Sequence, residues 1–323
     1  MEYLISFIYF LVSFGILAGI YGVFTLGLNV HWGYTGLFNI GVAGFFALGA
    51  YTAALLTTTP PSPDQFEDFI FGGNLGNTLR LGIDLWFIVA LAGAAAVSGI
   101  VALVVGGITL RLRDDYLAIS TLGIAESVRL MFLNEKWLGN GSRGLYKIPK
   151  FLGDRVSPDQ YDLLYFAVVI IVLAALYFAV QRAIDSPWGR VLRAIREDEE
   201  ATAAAGKNVF RFKLQAFILG AAVMGIGGAL YAHGFRYVDP FVFDPLLATF
   251  IIWVMLMVGG SGNNLGALLG AFIVWGIWSS TQFLPQEINN PNLRFFLIGF
   301  LLVLVILLRP NGILGERRRV SEG

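Results

Sequence analysis

Two ionisable side chains stand inside an apolar run and are the first candidates for chemistry. Glu126 and Arg129 lie three residues apart in the stretch 116–133, YLAISTLGIAESVRLMFL. That spacing puts both on one helix face, within pairing reach. Ionisable groups at membrane depth are costly and face protein or water. Two roles fit: a structural ion pair that locks this helix against its neighbours, or part of the lining of a polar path. A second charged set fills the stretch 185–213, DSPWGRVLRAIREDEEATAAAGKNVFRFK, the one long, highly charged segment of the chain. Arg193 with Glu197, and Arg196 with Glu200, are four apart and can pair, in the weaker order. Asp198 and Glu199 complete an acidic run between them. A third set is made of glycine and amide groups: Gly36, Asn39 and Gly41 in one apolar stretch, and Gly260 in the cluster Gly259-Gly260-Ser261-Gly262-Asn263-Asn264.

Several other chemistries are excluded. The glycine clusters are followed by no Lys-Ser/Thr pair, so they are not phosphate loops, and no H-E-x-x-H occurs. The chain has no cysteine, which removes disulfides and thiol catalysis. Its only histidines are His31, expected at the membrane interface, and His233, expected to open an outer loop. No Ser/His/Asp set is recognisable, and an enzyme is not expected. Transport driven by protons or sodium needs an embedded carboxylate able to titrate; only Glu126 qualifies, and Arg129 holds it charged.

These residues must be positioned by membrane helices. The 323-residue chain is 57% hydrophobic and 14% charged, with a mean hydropathy of +0.72 and no net charge. A soluble domain this size carries more charge, and several runs reach the roughly 20 apolar residues of a helical span. Alternating strand patterns are absent, which argues against an outer-membrane barrel. Zero net charge gives no reason to expect nucleic acid. The expected fold is all-α: one polytopic membrane domain, 1–323, with about nine transmembrane helices, some broken or half-spanning. The spans fall near 3–28, 34–56, 86–110, 116–133, 163–180, 214–232, 265–284 and 293–308, with a half-span at 244–258. A turn at 29–33 separates the first two. The first Lys or Arg is Arg80, so a basic leader region is missing and the first span itself must target the chain.

Loop charges orient the spans. The loop 57–85, with Pro60, Pro61 and Pro63, holds one basic residue and belongs outside. The turn 111–115 belongs inside. Parity puts 134–162 outside, although its five basic residues conflict with the charge rule. The N-terminus is expected outside, and the basic tail 309–323, with Arg317, Arg318 and Arg319, inside. The span 34–56 is rich in glycine (Gly36, Gly41, Gly44, Gly49) and carries Asn39. It reads either as a close-packed helix with Asn39 bonded to a neighbour, or as a broken helix whose freed backbone faces a water-filled path. The short run 244–258, stopped by glycines, marks a discontinuous helix near a binding site. Its glycines at 262–270 echo those at 36–44, which suggests an internal repeat with inverted halves. In 185–213, Ser186 can cap a helix, Pro187 suits its first position, and Gly206 is a natural stop. Trp188, Val191, Leu192, Ile195, Thr202 and Ala203 give it a weakly apolar face. This amphipathic helix, 187–206, is either a loop whose charges set topology or a docking helix for a groove on a soluble partner.

A resemblance favours docking. Glu200-Ala201-Thr202, three residues and then Gly206 is similar to the EAA-x-x-x-G loop of ABC importer permeases, with Thr202 where the short pattern has Ala. The run from Gly189 through Arg193, Arg196, Glu197 and Asp198 to Glu199 resembles the LivM-type branched-chain amino acid permeases, with Lys207 where that family usually has Ile. Gly36-Leu37, Gly41, Phe45 and Gly49-Ala50-Tyr51 resemble its G-L-x-x-x-G-x-x-x-F-x-x-x-G-A-Y signature, and Thr121-Leu122-Gly123 with Glu126 and Arg129 also resembles its pattern. Gly139-Asn140-Gly141 matches its T-G-G turn in part, and Arg309-Pro310-Asn311-Gly312-Ile313-Leu314-Gly315 its ending. The resemblance implies a permease subunit of an ATP-driven importer for branched-chain or neutral amino acids in a bacterial or archaeal inner membrane. It implies a heterodimer with a second permease, two cytoplasmic ATPase subunits and a periplasmic solute-binding protein. ATP would be held by the ATPases, with no cofactor on this chain. Coupling would fall to Arg193, Arg196, Glu197, Asp198, Glu199, Glu200 and Gly206. The substrate path would involve Gly36, Asn39, Gly41, Glu126, Arg129 and Gly260. Urea or short-chain amide importers use similar permeases and are the alternative substrate class, and an ion-driven carrier the alternative mechanism.

Overall fold

Apolar runs that cannot hydrogen-bond to lipid must satisfy their own backbone, and here they do so as helices. The computed structural model describes residues 2–61, 69–70, 72–79, 84–153, 155–283 and 291–315. Pro63, Arg80, residues 284–290 and Arg317 to Arg319 lie outside them. Helix α1 (Glu2–Leu28) is prolonged by a π-helical turn, Asn29–Gly33, where an open turn was expected. Then come α2 (Val42–Thr57), the single turn α3 (Leu75–Thr78), α4 (Leu85–Thr109), α5 (Asp114–Asn134) and the single turn α6 (Lys136–Gly139). Strand β1 (Leu145–Tyr146) precedes α7 (Pro158–Asp185), α8 (Pro187–Glu197), α9 (Glu199–Ala204) and α10 (Val209–Phe235). Strand β2 (Tyr237–Val238) pairs antiparallel with β1. A second π-helical turn, Pro245–Thr249, leads into α11 (Phe250–Gly259), followed by α12 (Asn264–Ser280) and α13 (Pro291–Leu308).

Six helical segments are long and apolar enough to cross a membrane: Phe7–Gly33, Leu85–Thr109, Asp115–Asn134, Gln160–Asp185, Val209–Phe235 and Asn264–Phe283. Three further apolar helices, Val42–Thr57, Leu247–Gly259 and Leu293–Leu308, are shorter. Among the described residues six segments thus have full crossing length, with three shorter apolar helices beside them, and the expected count of about nine is not confirmed. The expected span 34–56 is helical only from Val42. Upstream, side chains replace the missing helical bonds: Thr121 Oγ1 accepts from the Ile40 amide (3.0 Å) and Asn39 Oδ1 from the Gly41 amide (2.7 Å). The hydroxyl of Thr249 accepts from the Ala43 amide (3.1 Å), so the starts of the two short helices α2 and α11 meet inside the bundle.

Helix α10 is the central post, flanked by α1, α2 and α4. Its approach to α2 is so close that a Cβ on Gly49 would stand 2.1 Å from the Gly225 carbonyl oxygen. The outward faces of α4 and α7 expose Ile88, Ile100, Val104 and Ile108, and Leu163, Ile171 and Phe178. That is the pattern of a bundle solvated by lipid rather than water.

The bundle has two ends. One gathers the π-turn Asn29–Gly33, the α4–α5 turn, α8 and α9, the α11–α12 turn and residues 309–315. It is held by Arg111 over the Phe210 ring (5.3 Å), Asn29 on Asn264 (2.9 Å) and the Leu314 amide on the Gly259 carbonyl (2.9 Å). The other end gathers the start of α1, the described residues after α2 (58–61, 69–70 and 72–79), residues 135–153 and 155–157, and the α10–α11 connection. There Phe10 packs on Phe283 (4.8 Å between centroids), the Ile70 amide donates to Trp137 O (2.9 Å) and the Leu152 amide to Asp84 Oδ2 (2.7 Å). Connectivity thus overrides the charge rule for the basic loop 134–162, which sits at the end opposite α8. Two of its cations are engaged locally, Lys150 over the Tyr161 ring (4.2 Å) and Lys147 over the Tyr146 ring (5.3 Å), and Arg236 after α10 donates to Ile148 O of the loop (3.2 Å). His233, expected in an outer loop, is instead a fully buried residue of α10, packed against Trp86 and Phe87.

Candidate coupling platform and solute path

The expected single helix 187–206 is two helices. Asp198 is extended (φ −154°, ψ 106°), ends α8, and caps α9 by accepting from the Ala201 amide (2.9 Å). A short acid at this point prefers capping to continuing the helix. Gly206 ends α9 with φ +80°, as expected. Leu192, Ile195 and Gly189 form the buried stripe of α8. Trp188 Nε1 bonds Gln215 (2.9 Å), and Lys213 pairs with Glu199, so the platform is tied to the foot of α10.

The two arginines turn inward. Arg193 donates to the Ile184 carbonyl (3.3 Å) and stands over the Tyr34 ring (5.8 Å), away from Glu197. Arg196 Nη1 donates to the Gly33 carbonyl, the last residue of the π-turn. Gly36 (φ +77°) lies under α8, where a Cβ would come 3.2 Å from Arg196 Cγ and 3.7 Å from its Cα. Glu197, Asp198, Glu199 and Glu200 are exposed, as are Ala201, Ala203 and Ala204. The structure therefore brings Arg196 of the coupling set against Gly36 of the path set, and Arg193 over the neighbouring Tyr34. It leaves the acidic run facing outward.

The path residues separate into two groups. Asn39 is fully buried with its polar groups bonded: Nδ2 to His31, Oδ1 to the Gly41 amide, and its carbonyl to Trp253 Nε1 (3.0 Å). Gly260 is buried as well, with φ +114° and a would-be Cβ 2.8 Å from the Leu314 backbone. The ion pair on α5 is the more open group. Arg129 Nε donates to Glu126 Oε2 (2.8 Å), with side chains 17% and 37% exposed respectively. Glu126 lies about 18 Å along α5 from Asp114 at 1.5 Å per residue. The pair flanks the strip of α5 that packs on α2, where Ala125 meets Gly44 and Thr121 meets Gly41. Among the described residues no cluster of His, Asp or Glu is placed to hold a metal ion.

Comparison with known proteins bears on what this arrangement serves. The family described as "Branched-chain amino acid transport system / permease component" matches residues 10–306. The chain belongs to this permease family. The permease is 32% identical to the high-affinity branched-chain amino acid transport system permease protein LivM of Salmonella typhimurium, covering 93% of this chain and 68% of the relative. It is 28% identical to a probable LivM of Methanocaldococcus jannaschii (93% and 91% covered), and 24% identical to LivH of Escherichia coli (96% and 97%). No solved structure matches it. With its apolar crossing helices, the permease is a multi-pass inner-membrane protein and not an enzyme.

Sequence reasoning missed part of the site. His31, expected at the interface, is fully buried in the π-turn, between Asn39 and the Phe217 carbonyl. Asn29, Gln181 and Asn264, a bonded chain beneath α8, were not singled out. An amide at the edge of an apolar run is their only sequence signal. The glycines of the echo stand around two helix starts: Gly36 and Gly41 precede α2 with Gly44 in its first turn, and Gly262 precedes α12 with Gly266 and Gly270 inside it.

Proposed function

We propose that this permease is the membrane subunit of an ATP-driven importer for branched-chain or other neutral amino acids. Relatives of both LivM and LivH names support pairing with a second, homologous permease. The observation that carries the coupling role is the two-faced platform of α8 and α9. Its inner face grips the backbone at Gly33 through Arg196, and its outer face presents four consecutive exposed acids, residues 197–200. A cytoplasmic ATPase docked on that outer face has a direct mechanical route to the break before α2. When ATP closes the ATPase pair, α8 and α9 move, and the permease pair switches from inward-open to outward-open for delivery by a solute-binding protein. No ATP site is needed on this chain.

The solute path runs beside the half-exposed flank of α5. Glu126 and Arg129 can meet the ammonium and carboxylate of an amino acid there, while Gly36 and Gly41 let α2 start within the bundle, Asn39 holds that start, and Gly260 closes the α11 end. The amides of Ile40, Gly41 and Ala43 are already bonded, so the α2 start offers few donors to a solute. An inverted repeat fits this arrangement: α1 and α10 run in opposite directions, each followed by a broken segment, a short helix and a full crossing (α2 and α4; α11 and α12). The test is replacement of Glu200 by Ala and of Gly206 by Val in the assembled transporter, following uptake of labelled leucine and of urea alongside ATP hydrolysis. The expected result is leucine uptake in the parent and hydrolysis without uptake in the variants. Normal coupled uptake in both variants removes the docking role, and urea uptake without leucine uptake removes the substrate assignment.

A further inference from the structure

The five-residue π-turn Asn29–Gly33 bonds to α8, α10, α12 and the α11–α12 turn. Its Asn29 donates to Asn264 Oδ1 and accepts from the Gly262 amide (both 2.9 Å), and Asn264 in turn donates to Gln181 Oε1 on α7 (2.9 Å). Its Gly33 carbonyl is the grip of Arg196 on α8. Between them, His31 is fully buried, with Nε2 2.9 Å from Phe217 O on α10 and Nδ1 3.0 Å from Asn39 Nδ2. Its ring stacks on the Phe217 ring (4.8 Å, 20°). π-Turns inside α-helices are frequent at functional positions, because they free one backbone register and can relax back.

The hydrogen-bond network decides the state of His31. The Gly41 amide donates to Asn39 Oδ1, which fixes the Asn39 side chain so that Nδ2 faces the imidazole. An amide nitrogen only donates, so Nδ1 of His31 must accept. A carbonyl only accepts, so Nε2 must carry the proton. His31 is thus a neutral, directional bridge with one arm on the central post α10 and the other on the cap that starts α2.

We propose that His31 is the positioning residue that passes motion of the coupling platform to the broken start of α2. This rests on the coupling role proposed above. A push on α8 reaches Gly33 through Arg196, turns the π-turn, and moves Asn39 through the Nδ1 bond, while the Nε2 bond to Phe217 serves as pivot on α10. No ionisation of the ring is involved. Because the bonds on the two ring nitrogens differ in role, they can be cut separately. In His31→Asn an amide oxygen can stand near Nδ1 and keep the Asn39 bond. In His31→Gln an amide nitrogen can stand near Nε2 and keep the Phe217 bond. His31→Phe keeps the ring and loses both.

The experiment uses the complete transporter with its second permease, ATPases and binding protein in proteoliposomes. The readout is ATP hydrolysed per leucine imported, with the melting temperature of each assembly. His31→Asn is expected to stay near the parent ratio, whereas His31→Gln and His31→Phe raise it roughly tenfold, a coupling loss of ordinary allosteric size. A parent-like ratio in folded His31→Phe overturns the proposal. So does an equal rise in His31→Asn and His31→Gln, which would report general damage. Should His31→Phe fail to assemble, the Asn and Gln variants decide alone. Replacement of Glu200 by Ala is run beside them: if it uncouples while the His31 variants do not, the bridge is wrong and the platform stands. If neither uncouples, the platform reading fails first and takes the bridge with it.

Discussion

Gly36 lies directly under Arg196 of α8, just before the broken helix, and its replacement separates two effects. The residue sits at φ +77°, a region that costs an ordinary L-residue about 1–2 kcal/mol and Asn less. Any Cβ there would also meet Arg196 Cγ at 3.2 Å and Cα at 3.7 Å. The first contact is tight, but that side chain is flexible and can shift by a few tenths of an ångström. The second is ordinary van der Waals contact. The steric part is therefore small for Ala, whose cost is mainly the backbone strain. Gly36→Ala should cost about 1–2 kcal/mol, Gly36→Asn about half of that, and Gly36→Val more than either, since a β-branched residue is least tolerant of positive φ. At roughly 2–4 °C per kcal/mol for a large domain, Ala should lower the melting temperature by a few degrees. Thermal unfolding of the purified assembly, with the ATP-to-leucine ratio beside it, measures both effects. The expected order of stability is Gly, Asn, Ala, Val, with coupling worsening in the same order. Ala as stable and as well coupled as Gly would refute the placement of α8 on this turn.

Two further outcomes follow from contacts elsewhere. Glu126→Ala leaves Arg129 without its carboxylate at membrane depth, at a cost of roughly 3 kcal/mol, and should lower the yield of monodisperse protein. The double replacement of Glu126 and Arg129 by Ala should restore that yield without restoring leucine uptake, and recovery of both would assign the pair to structure alone. At the other extreme of the chain, the Ile313 and Leu314 amides donate to Val258 and Gly259 carbonyls (3.0 and 2.9 Å), and a Cβ on Gly312 (φ +77°) would lie 2.4 Å from Gly260 Cα. Gly312→Val should therefore release the tail, read as several-fold faster limited proteolysis after residue 308; an unchanged rate would refute the clasp.

Much of the plan was legible in residue order. Glu126 and Arg129 had the spacing of a pair and form one. Pro187 and Gly206 marked the limits of the helical segment 187–206, and the structure keeps them; Ser186 holds the N-cap position, but its hydroxyl donates back to the Ala183 carbonyl (2.6 Å) instead of capping. The glycine-rich stretch 34–56 offered a broken helix as one of two readings, and the chain is broken there. What failed has a common cause. The break at Asp198 depended on a local choice between capping and continuing a helix, which a periodic pattern does not resolve. His31 read as interfacial and His233 as the opening of an outer loop, and a histidine is costly in an apolar core unless it is bonded. The bonds that make each burial acceptable, to Phe217 and Asn39 in one case and to Pro149 in the other, come from residues 186, 8 and 84 positions away.

Composition and periodicity alone settled that this chain is a helical membrane protein with a charged segment set between apolar ones, because transfer of side chains into lipid is close to additive and local. Which short helices meet end to end, which end of the bundle holds the basic loop, and which carbonyl the platform arginine grips were decided only by the packed chain. Those outcomes depend on backbone donors and acceptors finding partners far away in sequence, and residue order carries no local signal of that pairing.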